Sequence, residues 1–328
     1  MSAATPLHWI GFVVIVTALL AIDLGVFHRK PHAISFREAA GWSVFWISLA
    51  LVFNAFVWWR FGHVAGQEFL AGYLIEQSLS VDNVFVFLIL FSTFAVPPEL
   101  QHRLLFWGVA GAVVMRGLFV FAGVAAIEAF HGVLYVFAAI LFYTGIKMLR
   151  AGEQEAHPEK NPLFRLFQRM VPSTPHWRGP AFFVRENGKL LATPMLTVLV
   201  LVELTDLMFA VDSIPAIFAV TRDPFIVLTS NVFAILGLRS LTFCLSGLLD
   251  RLAYLRPALA VVLLFIATKM AIAEWFHIPI GISLAIVAGV LGAGVVISLV
   301  RAPKHVDHAE LTAPEPTPPG PDKDPRSA

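Results

Sequence analysis

The sequence predicts an all-α polytopic membrane protein of about nine transmembrane helices, with an inverted three-helix repeat built from spans 3–5 and 6–8. Three observations predict it. Of 328 residues, 58% are hydrophobic and 14% charged, where a soluble domain carries ~25% charged residues; mean hydropathy is +0.78. Nine runs approach the ~20 apolar residues that cross ~30 Å of hydrocarbon as a helix. A set of polar markers also recurs in the same order in two successive blocks.

Taken in order, the spans cover residues 7–27, 42–59, 69–94, 104–127, 133–149, 194–220, 225–248, 257–276 and 280–300. Trp42, Trp58, Trp59, Trp107 and Trp275 fall near span ends, where amphipathic rings favour the interface. No Lys or Arg precedes the first run, so it reads as a retained span rather than a signal peptide. With the N-terminus outside, 17 of the 23 basic residues fall on the cytoplasmic side, Arg251 and Arg256 among them. Only Arg60 and Arg222 fall outside, and Arg116, Lys147, Arg239 and Lys269 lie within spans. That asymmetry predicts N-out, C-in insertion.

Residues 1–300 thus form a membrane domain, with repeat 1 at about 69–149, a cytoplasmic loop at 151–192, repeat 2 at about 194–276 and a ninth span at 280–300. Within the loop, 163–171 has the pattern of a segment lying on the inner surface. Residues 301–328 are rich in Pro, Asp, Glu and Lys and are expected to be a disordered cytoplasmic tail; His305 and His308 read as solvated. A net charge of +1 gives no reason to expect a nucleic-acid partner. A single cysteine, Cys244, excludes an internal disulfide framework and a Cys-built zinc site.

Glu76–Asn83 reappears as Asp206–Ser213 at an offset of 130, Arg116 as Arg239 at 123, and Lys147-Met148 as Lys269-Met270 at 122. Each unit holds three spans, an odd number, so the second is inverted in the membrane. Inverted repeats are a transporter architecture, with the substrate site near the midplane where the units meet.

Acids in hydrocarbon cost ~2.5–3.5 kcal/mol each on insertion scales, so each needs a partner or a purpose. Spans 3 and 6 hold five: Glu76, Asp82, Glu203, Asp206 and Asp212; Asp23 sits near the inner end of span 1. Glu76 shares a helix face with Asn83, and Asp206 with Ser213, because seven residues make nearly two turns. Asp82 and Asp212 lie well round the helix and reach the same site only where the helices unwind; Pro215 is a candidate break in span 6.

Two readings compete. The acids pair with Arg116, Lys147, Arg239 and Lys269 to brace the bundle, or they gather into an oxygen-ligand cation site. Such a site suits Mg²⁺, Ca²⁺ or Mn²⁺. Ser78, Ser80, Asn54 and Asn231 would be neutral ligands, and Met208 a softer atom favouring Mn²⁺.

The segments DLGVFHRK (23–30), FREAAGWSVFWISLALVFN (36–54), EQSLSVDNVFVF (76–87) and ELTDLMFAVDSIPAIFAVTRDPFIVLTSNVFAILGLRSL (203–241) resemble the TerC/Alx family of bacterial membrane proteins. The likeness runs through most of 7–300. It implies a manganese exporter of the cytoplasmic membrane, within the broader LysE-like transporter group, whose functional acids fall on Glu76, Asp82, Glu203, Asp206 and Asp212.

Exporting two charges against an inside-negative potential costs ~4.6 kcal/mol per 100 mV, so an energy source is required. No phosphate-binding nucleotide loop occurs, nor an H-E-x-x-H or G-x-S-x-G hydrolase motif. A non-enzymatic secondary mechanism is therefore expected, with Mn²⁺ as transported substrate, no organic cofactor, and protons and the lipid bilayer as further partners. A passive divalent-cation channel and a membrane scaffold or regulator of metal homeostasis are the alternatives. Small-residue pairs such as Gly108 with Ala112 would pack helices within one subunit or between the copies of a homo-oligomer.

Overall fold

The computed structural model describes residues 4–27, 36–130, 132–150, 164, 166, 171–174, 176–186, 188–245, 254–273, 275–276 and 278–301. Its helices are α1 (Pro6–Phe27), α2 (Phe36–Phe61), α3 (His63–Thr93), α4 (Pro98–Ala129), α5 (Val133–Arg150), α6 (Pro194–Phe218), α7 (Pro224–Leu245), α8 (Leu255–Ala271) and α9 (Ile280–Arg301). A hairpin of β1 (Phe183–Glu186) and β2 (Lys189–Ala192) precedes α6. Each predicted span falls on one helix. Seven of them, α2–α7 and α9, are long and apolar enough to cross a membrane; α1 and α8 are apolar but offer shorter described stretches.

Local chemistry sets the ends. α2 and α3 are separated by one residue, Gly62, at φ +93° and ψ 172°, a conformation that a Cβ disfavours strongly. Pro98, Pro194 and Pro224 open α4, α6 and α7, where the missing N–H costs nothing and φ is already helical. The Asp223 Oδ1 accepts from the Phe225 N–H at 2.8 Å and caps α7. α2, α3 and α4 each begin six residues before the predicted span, because hydrogen bonding does not stop where the hydrocarbon does. α8 instead ends at Ala271, short of residue 276; the Ile272 N–H still bonds to Thr268 O at 3.0 Å.

The expected break at Pro215 does not occur. α6 runs unbroken to Phe218 with Pro215 inside its last turn, where the proline forfeits a single bond and displaces little helix beyond it.

α7 is the central helix, nearly all buried, and packs on α2, α3 and α4. α6 packs on α3, α4 and α5, α5 on α8, and α9 on α8 and α3. Exchanging α3 with α6, α4 with α7 and α5 with α8 maps the larger contacts among these six onto one another: α3–α7 becomes α6–α4, and α5–α6 becomes α8–α3. Among the described residues, the slight α4–α5 and α6–α8 contacts have no counterpart of similar extent. The duplication read from sequence therefore has a counterpart in the packing. Outside, Trp59, Val114, Leu118, Tyr143 and Trp275 are exposed, which suits a lipid-facing surface.

The hairpin lies in the segment read as a loop. It pairs Phe183 with Ala192 and Glu186 with Lys189, and Gly188 sits at φ +76°. Thr193 ties it to α6, its Oγ1 donating to Ala181 O at 2.6 Å. Of the surface segment expected at 163–171, only residues 164, 166 and 171 are described: Phe164 is buried and Leu166 exposed. The tail from 302 to 328, with His305 and His308, lies outside the described residues.

Candidate functional site

Four helices bring six polar side chains to one buried point. α3 supplies Glu76 and Asn83, α4 Arg116, α6 Asp206 and Ser213, and α7 Asn231, all buried. Arg116 is the hub. Its Nη1 lies 2.7 Å from Glu76 Oε1, donates to Ser213 Oγ at 2.7 Å and to Asn231 Oδ1 at 2.9 Å; its Nη2 lies 3.5 Å from Asp206 Oδ1. Asn231 is aimed by its own amide, which donates to Val227 O at 2.7 Å. The Asn83 amide donates to Asp206 Oδ1 at 3.4 Å, closing the ring between α3 and α6. Glu76 and Asp206 are the equivalent acids of the two repeats, so the pair meets at the junction.

The oxygens here are under-used. Glu76 Oε2, Ser80 Oγ, Asn83 Oδ1 and Asp206 Oδ2 are buried with no hydrogen-bond partner among the described residues. Glu76, Ser80 and Asn83 occupy positions i, i+4 and i+7, one face of α3. Buried polar atoms are normally satisfied, and unspent oxygen lone pairs beside two carboxylates are what a hard cation takes.

The remaining acids are turned elsewhere. Asp82 Oδ1 lies 3.0 Å from Arg256 Nε in the first turn of α8, and that guanidinium lies over the Phe85 ring, 4.6 Å from its centroid. Asp212 Oδ1 accepts from Thr144 Oγ1 of α5 at 2.9 Å, with Lys147 acting on it electrostatically. Glu203, one turn before Asp206, lies against α4, where a Cβ added at Gly111 would collide with its carboxylate. Among the described residues no three His, Cys, Asp or Glu side chains come together as a ready metal site. Since α3 and α6 stay helical, a six-residue step turns Asp82 and Asp212 away from Glu76 and Asp206.

The weaker candidates separate similarly. Ser78 Oγ donates to Leu74 O of its own helix at 2.6 Å. Asn54 is buried in α2, its Oδ1 without a partner among the described residues. Met208 is exposed on α6. Asp23 belongs to α1, but its side chain lies outside the described residues. Arg239 is buried in α7, and Lys269 closes α8 near Glu68.

Three partners escape the sequence reading. Arg256, counted there as cytoplasmic, belongs to α8 and pairs with Asp82. Thr144 gives no signal within an apolar run. Glu68, one residue outside the predicted span, lies within α3 and accepts from Thr221 Oγ1 at 2.8 Å.

Residues 61–305 match the sequence model of the Integral membrane protein TerC family. The chain is 52% identical over 96% of its length, and 98% of the relative's, to the membrane protein STKORF319 of Myxococcus xanthus. It is 50% identical to Alx of Escherichia coli K12, over 88% of this chain and 93% of that one, and 51% identical to Alx of Salmonella typhi, over 90% and 95%. Alx is named for a proposed role as a membrane-bound redox modulator. No solved structure matches the chain.

Proposed function

Because the chain belongs to the TerC family of multi-pass integral membrane proteins, we propose that it is a secondary transporter exporting a divalent cation, Mn²⁺, from the cytoplasm across the bacterial inner membrane in exchange for protons. The observation that carries this reading is the pair Glu76 and Asp206, buried where the repeats meet, with unspent oxygens around it. Midplane sites at repeat junctions are where secondary transporters hold their ions.

Charge supports the exchange. Glu76 and Asp206 flank one fixed cation, Arg116, and Glu203 lies one turn before Asp206, so the three acids, when ionised, leave two negative charges to balance. One divalent cation balances them, and so do two protons. Carboxylates loaded with metal on the cytoplasmic side would release it outside and return protonated, in an electroneutral cycle. Conformational asymmetry supports alternating access. Asp82 and Asp212 are equivalent acids, yet Asp82 meets the first turn of α8 and Asp212 the middle of α5. The redox role in the relatives' name finds little chemistry here, since one thiol cannot form an internal dithiol pair.

The test is Mn²⁺ flux in proteoliposomes holding the purified chain. Flux should saturate, should be driven by a proton gradient, and should fall at least tenfold when an ionophore collapses that gradient. Unchanged flux without the gradient would refute proton coupling; flux that never saturates would indicate a channel.

A further inference from the structure

We propose that Arg116 is a tethered competitor of the transported cation. Its guanidinium is shared between the carboxylate pair and Ser213 and Asn231 in the empty carrier, and gives up the carboxylates while keeping Ser213 and Asn231 when metal arrives. The inference rests on reading Glu76 and Asp206 as the transport site, and assigns the arginine a part in cation release.

Three observations carry it. Arg116 has no exposed surface, and the chain provides it with two carboxylates from opposite repeats. It therefore stands where a cation would stand, satisfying charges that would otherwise be costly to bury. Its seat is also divided. Nη1 carries two protons but faces three oxygens at 2.7, 2.7 and 2.9 Å, its hydrogen bonds going to Ser213 and Asn231 and leaving Glu76 Oε1 as an ion-pair partner. Nε and Nη2 have no hydrogen-bond partner among the described residues. A structural arginine is commonly locked by a two-pronged pairing with one carboxylate; here charged and neutral acceptors compete for the same protons. Finally, the neutral acceptors are fixed in place: Asn231 is held by its bond to Val227 O, and Ser213 lies two turns along α6 from Asp206. They can hold the guanidinium once the carboxylates turn to a metal.

A fixed positive charge beside the acids weakens metal binding and so assists release. Removing it should tighten binding and slow turnover. A merely structural arginine predicts the opposite, because its loss would leave the acids unsupported and the site collapsed.

The experiment compares wild type, Arg116→Gln and Arg116→Lys as full chains purified in detergent, measuring the rise in Tm with MnCl₂ and the Mn²⁺ affinity, with MgCl₂ alongside. Arg116→Gln should melt lower without metal, recover more with Mn²⁺ than wild type does, and bind Mn²⁺ at least tenfold more tightly while its flux falls. Arg116→Lys, which keeps the charge, should stay near wild type in affinity. Affinity of Arg116→Gln equal to or weaker than wild type would overturn the proposal. Should Arg116→Gln fail to accumulate, the double variant Ser213→Ala/Asn231→Leu decides. Losing both neutral acceptors should weaken Mn²⁺ binding at least threefold, and unchanged or tighter binding would overturn the proposal. Saturable wild-type Mn²⁺ flux with no tightening in Arg116→Gln sinks this inference alone, whereas absence of wild-type flux sinks the transport reading itself.

Discussion

Glu203 reaches α4 because residue 111 has no side chain. Gly111 and Gly108, one turn apart, form the small-residue face on which α6 lies, and the two should answer differently to a methyl group. At Gly111 the new Cβ meets the end of a flexible side chain. Gly111→Ala should therefore keep its thermal stability but displace the Glu203 carboxylate, lowering Mn²⁺ flux severalfold. At Gly108 the Cβ lies 2.8 Å from Val202 Cγ1, on a stiff β-branched side chain, so Gly108→Ala should cost about 1–3 kcal/mol. Thermal melts in detergent and flux measured side by side check both. Wild-type flux in Gly111→Ala would remove Glu203 from the site. At this scale the sequence was partly readable. The shared face of Glu76 and Asn83 and the separation of Asp82 follow from 100° per residue, and Arg116 was a candidate partner. That Asp82 meets Arg256 and Asp212 meets Thr144 depends on how far one helix slides along another, which a single sequence does not encode locally.

Single elements show where local rules were overridden and where a signal was passed over. A proline in an apolar helix is a good reason to expect a break, yet the cost depends on how much helix lies beyond it. Pro215 has only three helical residues after it. Pro215→Ala should then change stability by no more than ~1 kcal/mol and leave flux intact, since the residue bends nothing the site depends on. Loss of transport with stability preserved would show that a break at Pro215 forms during the cycle. The β-hairpin, by contrast, was legible. Asn187-Gly188 lies between two short segments, and Asn-Gly is a strong turn signal, but the apolar spans dominated the reading of a polar loop.

For the whole molecule, each of the nine apolar runs lies on a helix among the described residues, because each run must satisfy its backbone within itself in lipid. The repeat is legible from three markers, and the larger helix contacts respect the exchange of its halves. Orientation rests on the distribution of basic residues and is open to a direct check. In a Cys244→Ser background, Arg222→Cys should react with an impermeant maleimide on intact cells, and Lys189→Cys only after the membrane is opened. The reverse pattern would invert the proposed direction of transport. The central claim is that Glu76 and Asp206 together hold the transported cation. Its most direct test is Mn²⁺ uptake into inside-out vesicles by wild type, Glu76→Gln, Asp206→Asn and, as a control on the exposed hairpin, Glu186→Gln. The account predicts that the two buried-site variants, present in the membrane at normal levels, lose at least nine-tenths of the uptake while the control keeps it. Uptake at the wild-type rate in both would make the pair a structural brace around Arg116 and contradict the account.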